Sequence, residues 1–102
     1  MLRGMAITQS NKYWSVRSFD NEDEVVKFIG EKYSKFIVGD YVILYNEKSN
    51  DKNIYMEDKY FNGNVAVFRH CKNELESINN KIASGDILKI RNIFHKCHNN
   101  YI

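Results

Sequence analysis

Phe36-Ile37-Val38-Gly39-Asp40-Tyr41-Val42-Ile43-Leu44-Tyr45 is the densest β signal in the chain. Two runs of β-branched and aromatic residues flank Gly39-Asp40, a pair that permits a tight turn or a bulge. The second run is apolar on both faces. That predicts a central strand covered on both sides.

Toward the N-terminus, residues 13–19 alternate as a strand does, with Trp14 and Val16 toward the core. Residues 5–9 suit a short strand before it, with Ser10-Asn11 as the turn. Between this pair and the central run, Asn21 can cap a helix and Glu24 completes a capping box. Val25, Phe28, Ile29 and Tyr33 share one face, which predicts a helix over residues 22–33. Gly30 inside it costs about 1 kcal/mol relative to Ala and points to a close backbone approach.

Toward the C-terminus, residues 46–53 form a polar loop, expected to be the most exposed and mobile segment. Residues 54–57 resume strand character as far as Phe61, and Asn62-Gly63 is the best hairpin signal. Residues 65–70 return from it. Asn73-Glu74-Leu75-Glu76 reads as a second capping box, followed by Leu75, Ile78 and Ile82 at helical spacing and Gly85 as terminator. Asp86 can cap a third segment, residues 87–97. Ile87, Ile90, Phe94 and Cys97 share a helical face there, whereas Leu88, Ile90 and Phe94 line up in a strand reading. Helix is the favoured reading.

The expectation is one small α+β domain over residues 1–102, ordered β-α-β-β-β-β-α-α. A mostly antiparallel sheet of four to five strands should carry two or three helices, with residues 22–33 on one face. The core should contain Trp14, Val16, Val25, Phe28, Ile29, Ile37, Val42, Leu44, Val65, Val67, Leu75, Ile78 and Ile90.

Charge narrows the function classes. Fifteen basic and 13 acidic residues leave a net charge of +2, too balanced for a typical nucleic-acid binder. Eleven of the basic residues are Lys, which lacks the bidentate fork of Arg. No apolar run reaches the roughly 18 residues of a membrane span, and the first residues lack a signal-peptide pattern. A cytoplasmic location in a bacterial host is therefore expected, with Cys71 and Cys97 as thiols rather than a disulfide. Asn (13), Lys (11), Ile (11) and Tyr (7) are abundant and Pro is absent, a bias toward AT-rich codons.

His70-Cys71 and His95-Lys96-Cys97-His98 hold every histidine and cysteine of the chain. Such ligands suit zinc. Adjacent strand residues point to opposite faces, however, so His70 and Cys71 cannot both join one site. The spacing matches no paired knuckle, and no acid lies after Asp86 to orient the imidazoles. The competing reading is a buried Cys71 at the end of a core strand, a buried Cys97 on a helix face and surface histidines near the terminus, so no metal and no cofactor are expected. A Cys/His nucleophilic pair fails on the same geometry. Gly-rich phosphate loops and the G-x-S-x-G elbow are absent. Glu22, Asp23 and Glu24, like Glu74 and Glu76, are explained by helix starts.

Three binding readings are left. Lys12-Tyr13-Trp14, Arg17, Phe19, Lys59-Tyr60-Phe61 and Arg69 interleave aromatic and basic residues, as single-strand nucleic-acid surfaces do. That reading gains if Tyr13, Tyr55, Tyr60 and Arg69 share one solvent-facing side. A small signalling nucleotide would need a cavity lined by aromatics and a few cations. Seven Tyr also suit protein interfaces, since Tyr buries area at low entropic cost.

In size, skewed composition and motif poverty the chain resembles small accessory proteins of phages and mobile elements. Many of these inhibit host proteins stoichiometrically, including anti-CRISPR and other anti-defence proteins. The stretch Val38-Gly39-Asp40-Tyr41-Val42-Ile43-Leu44-Tyr45-Asn46-Glu47, followed by Phe61-Asn62-Gly63, is similar to a family of small phage proteins. The resemblance implies a non-catalytic inhibitor that blocks a host defence protein or protein complex, as monomer or homodimer. Its expected contacts are Tyr13, Arg17, Tyr45, Lys48, Asn50, Lys52, Tyr55, Tyr60 and Arg69, chosen as exposed aromatics, cations and loop residues.

Overall fold

The computed structural model describes residues 1–78 and 85–97. The elements run β1 (Leu2–Ile7), β2 (Ser15–Phe19), α1 (Glu22–Ile29), β3 (Tyr33–Val38), β4 (Tyr41–Asn46), β5 (Lys52–Met56), β6 (Lys59–Asn62), β7 (Val65–Cys71), β8 (Glu74–Glu76), α2 (Asp86–Ile93) and β9 (His95–Lys96). The α+β class and antiparallel pairing are as expected, but there are more strands and they form two sheets. The larger, six-stranded sheet has the order β2-β1-β7-β4-β3, with β8 also paired to β7. The smaller has the order β6-β5-β9.

The larger sheet is the middle layer. On one face Val25 and Ile29 of α1 pack with Phe19, Val42, Leu44, Ala66 and Phe68. On the other, Met5, Ile43 and Val67 meet Ile54 and Phe61 of the small sheet, Ile90 of α2 and Phe94 at its C-cap. β4 therefore sends alternate residues into two cores. It is the doubly covered strand its sequence predicts, hydrogen-bonded to β3 and β7. Gly4 allows β1 to approach β7 closely: a Cβ there would lie 2.7 Å from the Val67 carbonyl oxygen and from the Phe68 ring.

Asn21 caps α1 as expected, accepting from the Glu24 amide at 3.1 Å. The helix ends at Ile29, not at residue 33. Gly30 is its C-cap with φ 121°, a conformation side chains rarely adopt, and Tyr33 already belongs to β3. The short helix covers only part of its face. Ile37, an expected core residue on the edge strand β3, is 54% exposed. Val16 on the opposite edge strand is 42% exposed, and Trp14 is only partly buried.

The hairpin turn expected at Asn62-Gly63 is elsewhere. Glu57-Asp58 turns β5 into β6, with Glu57 at φ 55° and Met56 opposite Lys59. Asn62-Gly63 instead carries the chain from the small sheet to the large one. The helix expected from Asn73 is also replaced. Lys72 and Asn73, at φ 51° and 70°, turn β7 back into β8, where Leu75 faces His70. Ile82 lies outside the described residues. Segment 87–97 divides, with α2 first and β9 after it. Gly85 is the N-cap of α2 and Asp86 its first residue; the stretch before Gly85, where the expected helix would end, lies outside the described residues.

Candidate functional site

The outer face of the small sheet carries the exposed rings of Tyr60 and His95 on either side of the half-buried Tyr55. Side chains alternate across a strand, so Ile54 and Phe61 point inward while Tyr55 and Tyr60 point out. Tyr55 stands opposite both Tyr60 and His95. The three rings form a row across β6, β5 and β9, with centroids 6.1 Å apart for Tyr60–Tyr55 and 5.5 Å for Tyr55–His95. The Lys52 ammonium lies 4.2 Å from the Tyr60 ring centroid, a cation–π contact at the row's end.

Beside His95 the row opens into a cleft between the β1–β2 connection and the α2–β9 junction. Lys12, Tyr13 and Trp14 form one wall, and Arg91, Phe94 and His95 the other. Tyr13 is 78% exposed. Trp14 and Phe94 touch with centroids 6.4 Å apart.

β9 is held by Lys96, which points inward from the same strand. Its Nζ donates to the Gln9 carbonyl at 2.9 Å, to the Thr8 carbonyl and to Asn53 Oδ1. Burial pushes the ammonium pKa down, while these oxygens favour the charged form. Asn53 is fully buried and also donates to the Ile7 and Gly63 carbonyls. The Cys97 amide donates to the Asn53 carbonyl at 2.8 Å. One buried amide thus joins both sheets and the tail.

The expected contact residues divide. Lys52, Tyr55 and Tyr60 come together, and Tyr13 lies by the cleft. Tyr45 does not qualify: it is 6% exposed and packs edge-on against Phe61. Arg17 lies on the α1 side, its guanidinium 4.5 Å from the Phe28 ring centroid. Arg69 is half-buried, and its guanidinium is already engaged. It donates to Asp86 Oδ1 at 2.8 Å, and the same oxygen accepts from the Tyr41 hydroxyl at 2.6 Å. Burial and the neighbouring Asp86 carboxylate push the Tyr41 phenol well above its ordinary pKa, and Asp86 raises that of Arg69.

Lys48 and Asn50 are exposed, but their loop is braced rather than free. Ser49 Oγ receives Gln9 Nε2 and the Asp51 amide, and the Ser49 carbonyl accepts from Asn62 Nδ2. Asn53, at its end, is buried for the reason just given.

The His/Cys residues are distributed over different elements. His70 Nε2 lies 3.1 Å from the Gly39 carbonyl oxygen, and Cys71 is an exposed free thiol at the end of β7. His95 belongs to the aromatic row. Burial pushes the Cys97 thiol pKa up. Among the described residues no group of three His, Cys, Asp or Glu side chains is placed to hold a metal ion. His98 lies outside them.

His95 as a member of the ring row, and the Arg91–Phe94 wall, were missed. The signal lay in residues 87–97, where strand and helix readings competed and only the composite of both places His95 outward. No helix among the described residues is long and apolar enough to cross a membrane. Comparison with protein-family models, curated proteins and solved structures finds no match.

Proposed function

We propose that this chain is a non-catalytic binding protein that inhibits a bacterial host protein by occupying its surface, in the manner of phage-encoded anti-defence proteins. The observation that carries the reading is the Tyr60–Tyr55–His95 row. Its rings are held by cross-strand partners before any partner arrives, so little side-chain entropy is lost on binding. With a net charge of +2, and Lys52 the one cation stacked on a tyrosine of the row among the described residues, the row itself suits a protein surface better than a phosphate backbone. The groups with displaced protonation support a scaffold role. Tyr41, Arg69 and Lys96 hold α2 and β9 in place rather than facing a reaction site.

The test is capture from a low-GC bacterial lysate with the native protein and with a Tyr55→Ala/Tyr60→Ala variant of matched circular dichroism. A host protein should be retained stoichiometrically by the native chain. The variant should lose it at least about tenfold, since central aromatic anchors contribute on the order of 2 kcal/mol each. Equal retention by both, or turnover of a substrate by the native protein, removes the proposal.

A further inference from the structure

The cleft beside the row has a chemistry of its own. Its volume is about 360 Å³, enough for one ring-bearing small molecule. Phe94 and Trp14 supply apolar surface, and Tyr13 stands exposed at the rim. Lys12 and Arg91 add two exposed cations, neither in a salt bridge among the described residues. No carboxylate lines the cleft.

One further detail is independent of the lining. The Trp14 indole nitrogen is buried and has no hydrogen-bond partner among the described residues. An indole N–H is only a donor, and leaving a buried donor unmet costs free energy, so native structures rarely do it. A ligand bearing an acceptor beside a flat ring removes that cost.

We propose that this cleft binds a nucleoside phosphate. The base stacks against Tyr13 beside Trp14, and its ring nitrogen or carbonyl oxygen meets Trp14 Nε1 when the half-buried indole turns toward the cleft. The phosphate lies against Arg91, whose fork can donate two parallel hydrogen bonds, with Lys12 as a second charge. The same unit reaches the cleft either as a free nucleotide or within a single strand. The inference does not depend on the host-protein reading, because protein capture and nucleotide binding can fail separately.

Trp14 is the only tryptophan of the chain, so its fluorescence reports the cleft directly. The full chain is titrated with AMP, adenosine, inorganic phosphate and a short oligothymidylate, with calorimetry in parallel. AMP should produce a saturable change. Adenosine and phosphate should each bind at least about tenfold more weakly, and added salt should weaken AMP binding. Arg91→Ala, with melting temperature checked, should weaken AMP at least about tenfold, with Arg91→Lys between it and the native protein. An oligothymidylate that binds more tightly than AMP identifies the strand as source; the opposite order identifies the free nucleotide. No saturable binding of AMP or oligothymidylate by either method up to about 10 mM, or unchanged affinity in a folded Arg91→Ala variant, overturns the inference.

Discussion

Asp86 is 2% exposed, yet it is one of the best-connected side chains in the protein. It sits in the first turn of α2, where a negative charge meets the positive end of the helix dipole. Its Oδ1 accepts from Tyr41 on β4 and Arg69 on β7. A buried carboxylate is tolerated only when paired and hydrogen-bonded, and removing one member strands the others. Asp86→Ala should therefore lower unfolding free energy by about 3 kcal/mol, discounted from the fully buried range because Arg69 is part exposed. Asp86→Asn, which still accepts from Tyr41, should lose less. Urea denaturation measures both, and a loss below about 1 kcal/mol for the Ala variant would refute this account. The residue was legible in the sequence as a helix start. Its partners were not, because Tyr41 and Arg69 are 45 and 17 residues away and no local pattern encodes that meeting.

At the scale of elements, β8 shows how a local signal was outvoted. Asn73 and Glu76 have the capping-box spacing, and Leu75 and Ile78 fit a helical stripe. In the fold Leu75 packs on the α1 side and Ile78 on the small-sheet side, opposite faces that a helix stripe would have merged. Pairing with β7, and the Ile78 amide donating to the Arg3 carbonyl, outweighed the local preference. The turn that makes this work has Lys72 and Asn73 both at positive φ, as a type I′ turn requires. Neither is Gly, so the usual signal was missing. Lys72→Asn/Asn73→Gly should raise stability by roughly 0.5–1 kcal/mol by relieving that strain. A helix there would be weakened by the same change, so a lower urea midpoint would reinstate the helix reading. The β3–β4 hairpin was easier to read because turn residue and strand pattern agree, with Gly39 at φ 58°.

For the molecule as a whole, the sequence periodicity identified strands and class but not the division into two sheets. That division depends on Asn53, Gly63 and Lys96, single residues with no period. It follows that the candidate face was half legible: Tyr55, Tyr60 and Lys52 as types, His95 and the cleft only through topology. Global stability should also carry an alkaline signature. Tyr41 and Cys97 both have folded pKa values raised by burial, so each keeps its proton in the folded state when the unfolded chain has released it. Their contribution is whole below the unfolded values, about 8.5 for Cys and 10 for Tyr, and is lost as pH rises through the folded ones. Urea midpoints should fall between about pH 8 and pH 11, with Lys96, whose pKa is pushed down on folding, offsetting part of the fall. Tyr41→Phe/Cys97→Ala should flatten that slope, and an equally steep fall in the double variant would count against it.

The smallest strand sets an order of events. β9 closes the small sheet with two residues, pairing Lys96 with Ile54 and His95 with Tyr55. During synthesis on the ribosome, Tyr55 and Tyr60 emerge long before their third ring. A nascent chain can assemble β1 to β7 with the row unfinished, its Asn53 anchor still waiting for the Lys96 ammonium. The three-ring row is thus completed only after β1 to β8 and α2 have been synthesised, so the face matures behind the scaffold that carries it.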